Sequence, residues 1–179
     1  MVCILLTKSC MAFLMLAALM FAQEGMPPAP HVRPERGMQR LVAEAARRSP
    51  AIRESIDRLE QLDVIVYVRA RAFARVDLEG QVALLAVTGG QRYLIIELAC
   101  GHSELMQMST LGHELYHAIE IAEEPAVVNT DTLADLYSRI GMLTGDSRGL
   151  RTFESAAAAE AGERARKQLL LNTRHGNGT

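Results

Sequence analysis

The string Thr110-Leu111-Gly112-His113-Glu114-Leu115-Tyr116-His117-Ala118-Ile119 holds the residues of this chain best placed to do chemistry. His113 and His117 are four apart, and on a helix that spacing puts two side chains on one face. Imidazoles so placed share one Zn2+, each nitrogen at about 2.0–2.1 Å. Glu114 falls about 100° round the helix, beside the metal position rather than on it. From there a carboxylate takes a proton from a zinc-bound water, whose pKa the metal lowers to about 7. The reaction that follows is attack of this water on a polarised carbonyl. Positions 110–112, 115, 116, 118 and 119 carry no charge, as a helix buried around a site requires. A solvated helix with two incidental histidines would carry charges there.

The string resembles the signature of the zincin metallopeptidases, and the chain is similar to short exported bacterial proteins with a T-L-x-H-E-L-x-H string. The signature covers ten residues. The resemblance implies His113 and His117 as zinc ligands, Glu114 as general base, Zn2+ as cofactor and a peptide or protein as substrate. One protein ligand is then still needed. The metzincin pattern has Gly at 120 and His at 123, where this chain has Glu120 and Glu123; with no glycine turn, the continuing helix carries Glu123 away. Glu120 shares the histidine face but lies about 10 Å along the helix from His113, which suits an ion-pairing group better than a ligand. Asp131 and Asp135 lack the glycine-threonine context of an Asp-type zincin.

The end of the chain supplies a further carboxylate. Residues 152–171 read as a helix capped by Thr152, with Glu154, Ala158, Ala161, Ala165 and Leu169 on one stripe. Glu160, Glu163, Arg164, Arg166 and Lys167 occupy the other side. The alanines would let this helix approach the histidine helix closely and deliver Glu154 to the metal. This resembles the gluzincin arrangement, in which the third ligand is a Glu on a downstream helix, followed four residues later by a small or acidic residue, here Ala158. An acid in a first turn is also what the helix dipole favours. The expected metal set is therefore His113, His117 and Glu154. Cys100-Gly101-His102 offers two further ligand atoms, and Tyr137, His102 and Arg148 are candidate donors to the oxyanion of the attacked carbonyl. Tyr137 also fits the apolar stripe of its own helix. Met106 and Met108 read as packing, and His31 and His175 as linker and tail.

The positioning elements follow from periodicity. Residues 35–48 are helical, with Met38, Leu41, Val42 and Ala45 on one face. Ser49-Pro50 restarts a helix as N-cap and first position, and Ile52, Ile56 and Leu59 form its stripe. Residues 63–69 (DVIVYVR), 81–88 (QVALLAVT) and 92–98 (RYLIIEL) read as strands, the last two joined by a Gly89-Gly90 hairpin turn. A loop at 100–103 leads to the histidine helix, which Ser103 or Ser109 caps and Pro125 closes. Another helix fits 130–142, with Leu133, Leu136, Tyr137 and Ile140 inward. The sum is an α+β domain of N-terminal helices, about three strands, the histidine helix and C-terminal helices, and the resemblance implies that this domain is zincin-like.

Outside this domain, residues 11–22 (MAFLMLAALMFA) form an apolar run behind Lys8, the layout of a secretory signal and short for a membrane span of roughly 20 residues. Segment 1–22 is read as a signal peptide, or alternatively an N-terminal anchor, and the protein as exported, periplasmic or secreted. Segment 23–34 reads as a proline-rich linker, 35–171 as the domain and 172–179 as a loose tail. The 179 residues hold 19 Lys+Arg against 21 Asp+Glu, a formal charge of −2. No cationic excess exists for phosphate contacts, and no Trp is present for base stacking, so nucleic acid is not the expected partner. Past residue 22 the lone cysteine is Cys100, which gives no internal disulfide. The reading from a different class is a non-catalytic zincin-like module that binds another protein; it has no use for a base beside the water.

Overall fold

A computed structural model describes residues 29–75, 77–147 and 150–176. The chain runs β1 (Val32–Pro34), α1 (Gln39–Arg48), α2 (Pro50–Leu59), β2 (Val64–Arg71), β3 (Gly80–Thr88), β4 (Gln91–Ala99), α3 (Glu104–Glu123), α4 (Thr130–Ile140), β5 (Gly141–Ser147), β6 (Leu150–Ser155) and α5 (Ala156–Gly176). It is an α+β fold, with all these elements in one unit that begins at His31.

The main sheet has the order β1-β2-β4-β3. β1 and β2, and β2 and β4, pair in parallel, while β3 returns antiparallel on β4. Gly89 and Gly90 turn that hairpin with φ of +60° and +82°, a region open to glycine and strained for other residues. Alternate residues of the central strands, Val64, Val66, Val68, Leu94, Ile96 and Leu98, enter one core with Leu41, Ile52, Leu59, Leu111, Leu115 and Leu169 from the helices. On the other face, the buried Glu97 pairs with Arg69 and Arg71 and accepts from Gln81 at 2.6 Å, which keeps its carboxyl charged despite burial.

α3 runs through the middle of this core, with residues buried on every side from Met108 to Ala122. Its start is capped by Ser103, whose hydroxyl accepts from the Met106 amide at 3.3 Å. Its end is held by Arg92 of β4. That buried guanidinium donates to the carbonyls of Ile121 (3.0 Å), Ala122 (2.7 Å) and Glu124 (2.7 Å), the acceptors that a helix C-terminus leaves without partners. α5 lies against α3 through small residues. A Cβ on Gly112 would come within 2.7 Å of the Ala165 Cβ, and Ala158, Ala161 and Ala165 are buried as their spacing predicts. Ser49 caps α2 as expected, accepting from Ile52. Its hydroxyl also donates to Gln168 at 2.7 Å, which ties α2 to α5.

Five expectations need correction. Residues 32–34 are not free linker but strand β1, drawn in by Glu60, whose carboxylate accepts the His31 and Val32 amides at 2.9 and 3.2 Å; Pro34 is tolerated because β1 is an edge. The sheet consequently has four strands rather than three. The helix at 130–142 stops at Ile140, and the last helix starts at Ala156 rather than at Thr152: Gly141–Ser147 and Leu150–Ser155 pair as an antiparallel hairpin with Met142 opposite Glu154. Glu154 is therefore a strand residue. Finally, α5 continues to Gly176, past the expected end at 171, and Asn172 donates to the Arg48 carbonyl. The apolar run at 1–22 lies outside the described residues. Among the described residues no helix is long and apolar enough to cross a membrane.

Candidate metal centre

Three elements converge on one point. α3 carries His113, Glu114 and His117, and its periodicity sets the two imidazoles side by side, ring centroids 4.8 Å apart and planes at 77°. β6 brings Glu154 against them. Its Oε2 lies 3.3 Å from His113 Nε2, and its Oε1 lies 3.5 Å from His117 Nε2. The three ligand atoms lie within 4.8 Å of one another. α5 passes close behind, a Cβ on Gly162 falling 3.0 Å from the His113 Cβ.

Glu154 Oε1 is buried and has no hydrogen-bond partner. A desolvated carboxylate oxygen with no donor among the described residues is costly by itself and is what a bound cation would relieve. Two nitrogens and one oxygen match the protein ligands of a tetrahedral catalytic zinc site, so the residues present fit that ion. The other nitrogen of His117, Nδ1, is engaged at 2.8 Å by Glu120 Oε2, which leaves Nε2 to face Glu154.

The charges follow from burial and neighbours. Burial, with His117 adjacent, lowers the His113 pKa and keeps that ring neutral, the form a metal needs. Burial also opposes charge on His117, yet the hydrogen bond to Glu120 and the nearby Glu154 carboxylate outweigh it and raise its pKa to about 9. Glu154 is held below its ordinary value: burial raises it, but the close imidazoles of His117 and His113 outweigh that. Glu114 is pushed up to about 7, chiefly by burial and despite the neighbouring His117. A carboxyl poised there holds or releases a proton near neutrality. The first residue of β3 lies over it, where a Cβ on Gly80 would meet Thr110 Cγ2 at 2.6 Å and Glu114 Oε1 at 3.1 Å.

His113, Glu114, His117 and Glu154 are thus brought together, although Glu154 arrives on a hairpin and not on the helix expected to carry it. Glu123 pairs with Arg58 instead. Asp131 and Asp135 are exposed on α4 and outside the group. Cys100 is exposed and joins no ligand cluster among the described residues. The Tyr137 hydroxyl sits 3.0 Å from His117 Nδ1, on the side of the ring away from Glu154. Arg148 lies outside the described residues, and His31 is spent on the Leu59 carbonyl at 3.1 Å. Gly80 and Ser155 were not foreseen: a glycine heading a strand and a serine before an alanine run are ordinary in sequence, and only their neighbours distinguish them. Comparison with protein-family models, with curated proteins and with solved structures finds no match to this chain.

Proposed function

We propose that the protein is an exported, zincin-like zinc-dependent hydrolase acting on peptide bonds. The observation that carries this reading is the convergence of His113 Nε2, His117 Nε2 and the orphaned Glu154 carboxylate beside a buried Glu114. Zinc held by those three residues would acidify a water and polarise a carbonyl.

The rest falls to the chain's own groups. Glu114, one residue from His113 and buried, accepts the proton of the attacking water at its carboxylate and returns it to the leaving amine nitrogen. Burial favours the protonated form strongly enough for that return to occur near neutral pH. His113 and His117 orient the site, and Glu154 sets its third corner. A peptide substrate is supported by β3, an edge strand of the main sheet that begins at Gly80 directly over Glu114. An extended segment added to such an edge gains backbone hydrogen bonds while its carbonyl passes the site.

The test is zinc stoichiometry by elemental analysis together with hydrolysis of a mixed peptide pool. The wild-type chain should hold one zinc, and Glu154→Ala should bind it more weakly. Glu114→Gln should keep the zinc and lose about 10²–10⁴-fold in kcat. A folded chain that takes up no zinc sinks the reading. Zinc binding with no hydrolysis in the wild type leaves a metal-bound binding module instead.

A further inference from the structure

Glu120 shares the histidine face of α3, and its role emerges from what surrounds it. Its carboxylate is almost buried and receives donors from three separate elements. Oε2 accepts His117 Nδ1–H of α3 at 2.8 Å and the Tyr137 hydroxyl of α4 at 3.3 Å, while Oε1 accepts the Ser155 hydroxyl at the end of β6 at 2.6 Å. The Ser155 oxygen also accepts the Ala158 amide at 3.0 Å as it caps α5, so its single proton is committed to Glu120. Ser155 is buried, and it directly follows Glu154.

We infer that Glu120 positions two metal ligands at once, His117 through its Nδ1 and Glu154 through Ser155. This rests on the metal-site reading above. On a strand, consecutive side chains point to opposite faces, so a fixed Ser155 fixes the direction in which Glu154 leaves the backbone. The strand has little room to shift. Opposite Ser155 stands Gly141, where a Cβ would lie 2.8 Å from the Glu154 carbonyl oxygen and 3.1 Å from that of Tyr137. The same carboxylate that turns the His117 ring therefore also locks the hairpin end onto α3. Glu154 arrives from an element remote in sequence, and Glu120 is the link that sets its distance from the histidines. A carboxylate behind a ligating histidine is worth about 10–100-fold in metal affinity, and this one acts on two ligands.

The experiment is a double-mutant cycle on the full chain, read as zinc affinity by competition with a chromophoric chelator. Glu120→Ala should weaken zinc by about 100-fold. Glu120→Gln should weaken it less, since the amide oxygen still accepts from Nδ1 while the amide NH2 no longer accepts the Ser155 proton. Ser155→Ala should also weaken zinc, and that effect should vanish in the Glu120→Ala background. In a 1H–15N spectrum the strongly deshielded His117 Nδ1 proton should be lost in Glu120→Ala and kept in Ser155→Ala, a difference that a merely structural role would not produce. If Glu120→Ala does not fold, Glu120→Gln replaces it in the cycle. Unchanged zinc affinity in the Glu120 variants overturns the inference, and so does a Ser155→Ala effect that survives undiminished without Glu120. A wild-type chain that binds no zinc overturns the metal reading itself, so the two failures are told apart by the wild type.

Discussion

At the residue scale the proposed zinc would compete with protons for the same atoms. With its pKa raised to about 9, His117 is protonated in the metal-free protein at neutral pH, whereas His113 is kept neutral. Zinc held as proposed would therefore have to displace one proton from His117. Apparent zinc affinity should rise about tenfold per pH unit between pH 7 and 9 and level off above, with about one proton released per zinc. Calorimetry in buffers of different ionisation enthalpy measures both, and an affinity flat over that range would contradict the assignment. The metal-free protein should show the opposite trend. The raised His117 pKa contributes stability that is fully present below its ordinary 6.5 and is lost as pH climbs through about 9. Glu114 contributes in the same sense, fully below 4.5 and lost through about 7. The melting temperature of the chelator-treated protein should accordingly fall from pH 6 to pH 9, and zinc should restore it most at the alkaline end.

At the element scale the central fact is how closely α3 and α5 approach. Gly112 sits one residue before His113, and any side chain there meets Ala165 Cβ at 2.7 Å and Ile52 Cγ1 at 3.2 Å. Gly112→Ala would gain about 1 kcal/mol in helix propensity. Both contacts are with groups of a packed core, which yields only by separating the helices, at about 1–3 kcal/mol. The substitution should therefore lower the melting temperature and weaken zinc binding together, as α5 and the β6 end joined to it move off the histidines. Unchanged stability with normal zinc uptake would mean that the helices have slack. The hairpin β5–β6 is the other decisive element. Its pairing of Met142 with Glu154 converts what the sequence reads as the first turn of a helix into a strand that ends at the metal position.

At the scale of the whole molecule, one buried cation joins the sheet to the metal helix. Arg92 reaches from β4 to three carbonyls at the α3 C-terminus, where positive charge also meets the negative end of the helix dipole. Arg92→Ala removes the donor of the Ala122 carbonyl and the stronger donor of the Ile121 and Glu124 carbonyls, which keep the Glu124 and Val127 amides, and should cost about 1–3 kcal/mol, measured by denaturant unfolding. Because these carbonyls lie one to two helical turns beyond His117 and Arg92 touches none of His113, His117 and Glu154, the folded fraction of the variant should bind zinc with near-normal affinity. Loss of zinc affinity out of proportion to unfolding would show that the sheet and the site are coupled more tightly than Arg92 alone accounts for.

The geometry of α3 was legible in the sequence because it is local. His113 and His117 at i and i+4, with Glu114 between them, share their geometry with any helix, and the uncharged flanks already announced burial. The same locality made the Ser49-Pro50 start, the Gly89-Gly90 turn and the alanine stripe of α5 readable. Tertiary structure decided what depends on a remote partner. Whether 150–155 is strand or helix is settled by pairing with 141–147, and β1 exists because Glu60, more than twenty-five residues away, holds its amides. Glu154 could thus be named as the third carboxylate while the element that carries it could not. The helix rule sees neighbours three and four residues apart, and the hydrogen bond from Ser155 to Glu120 spans thirty-five.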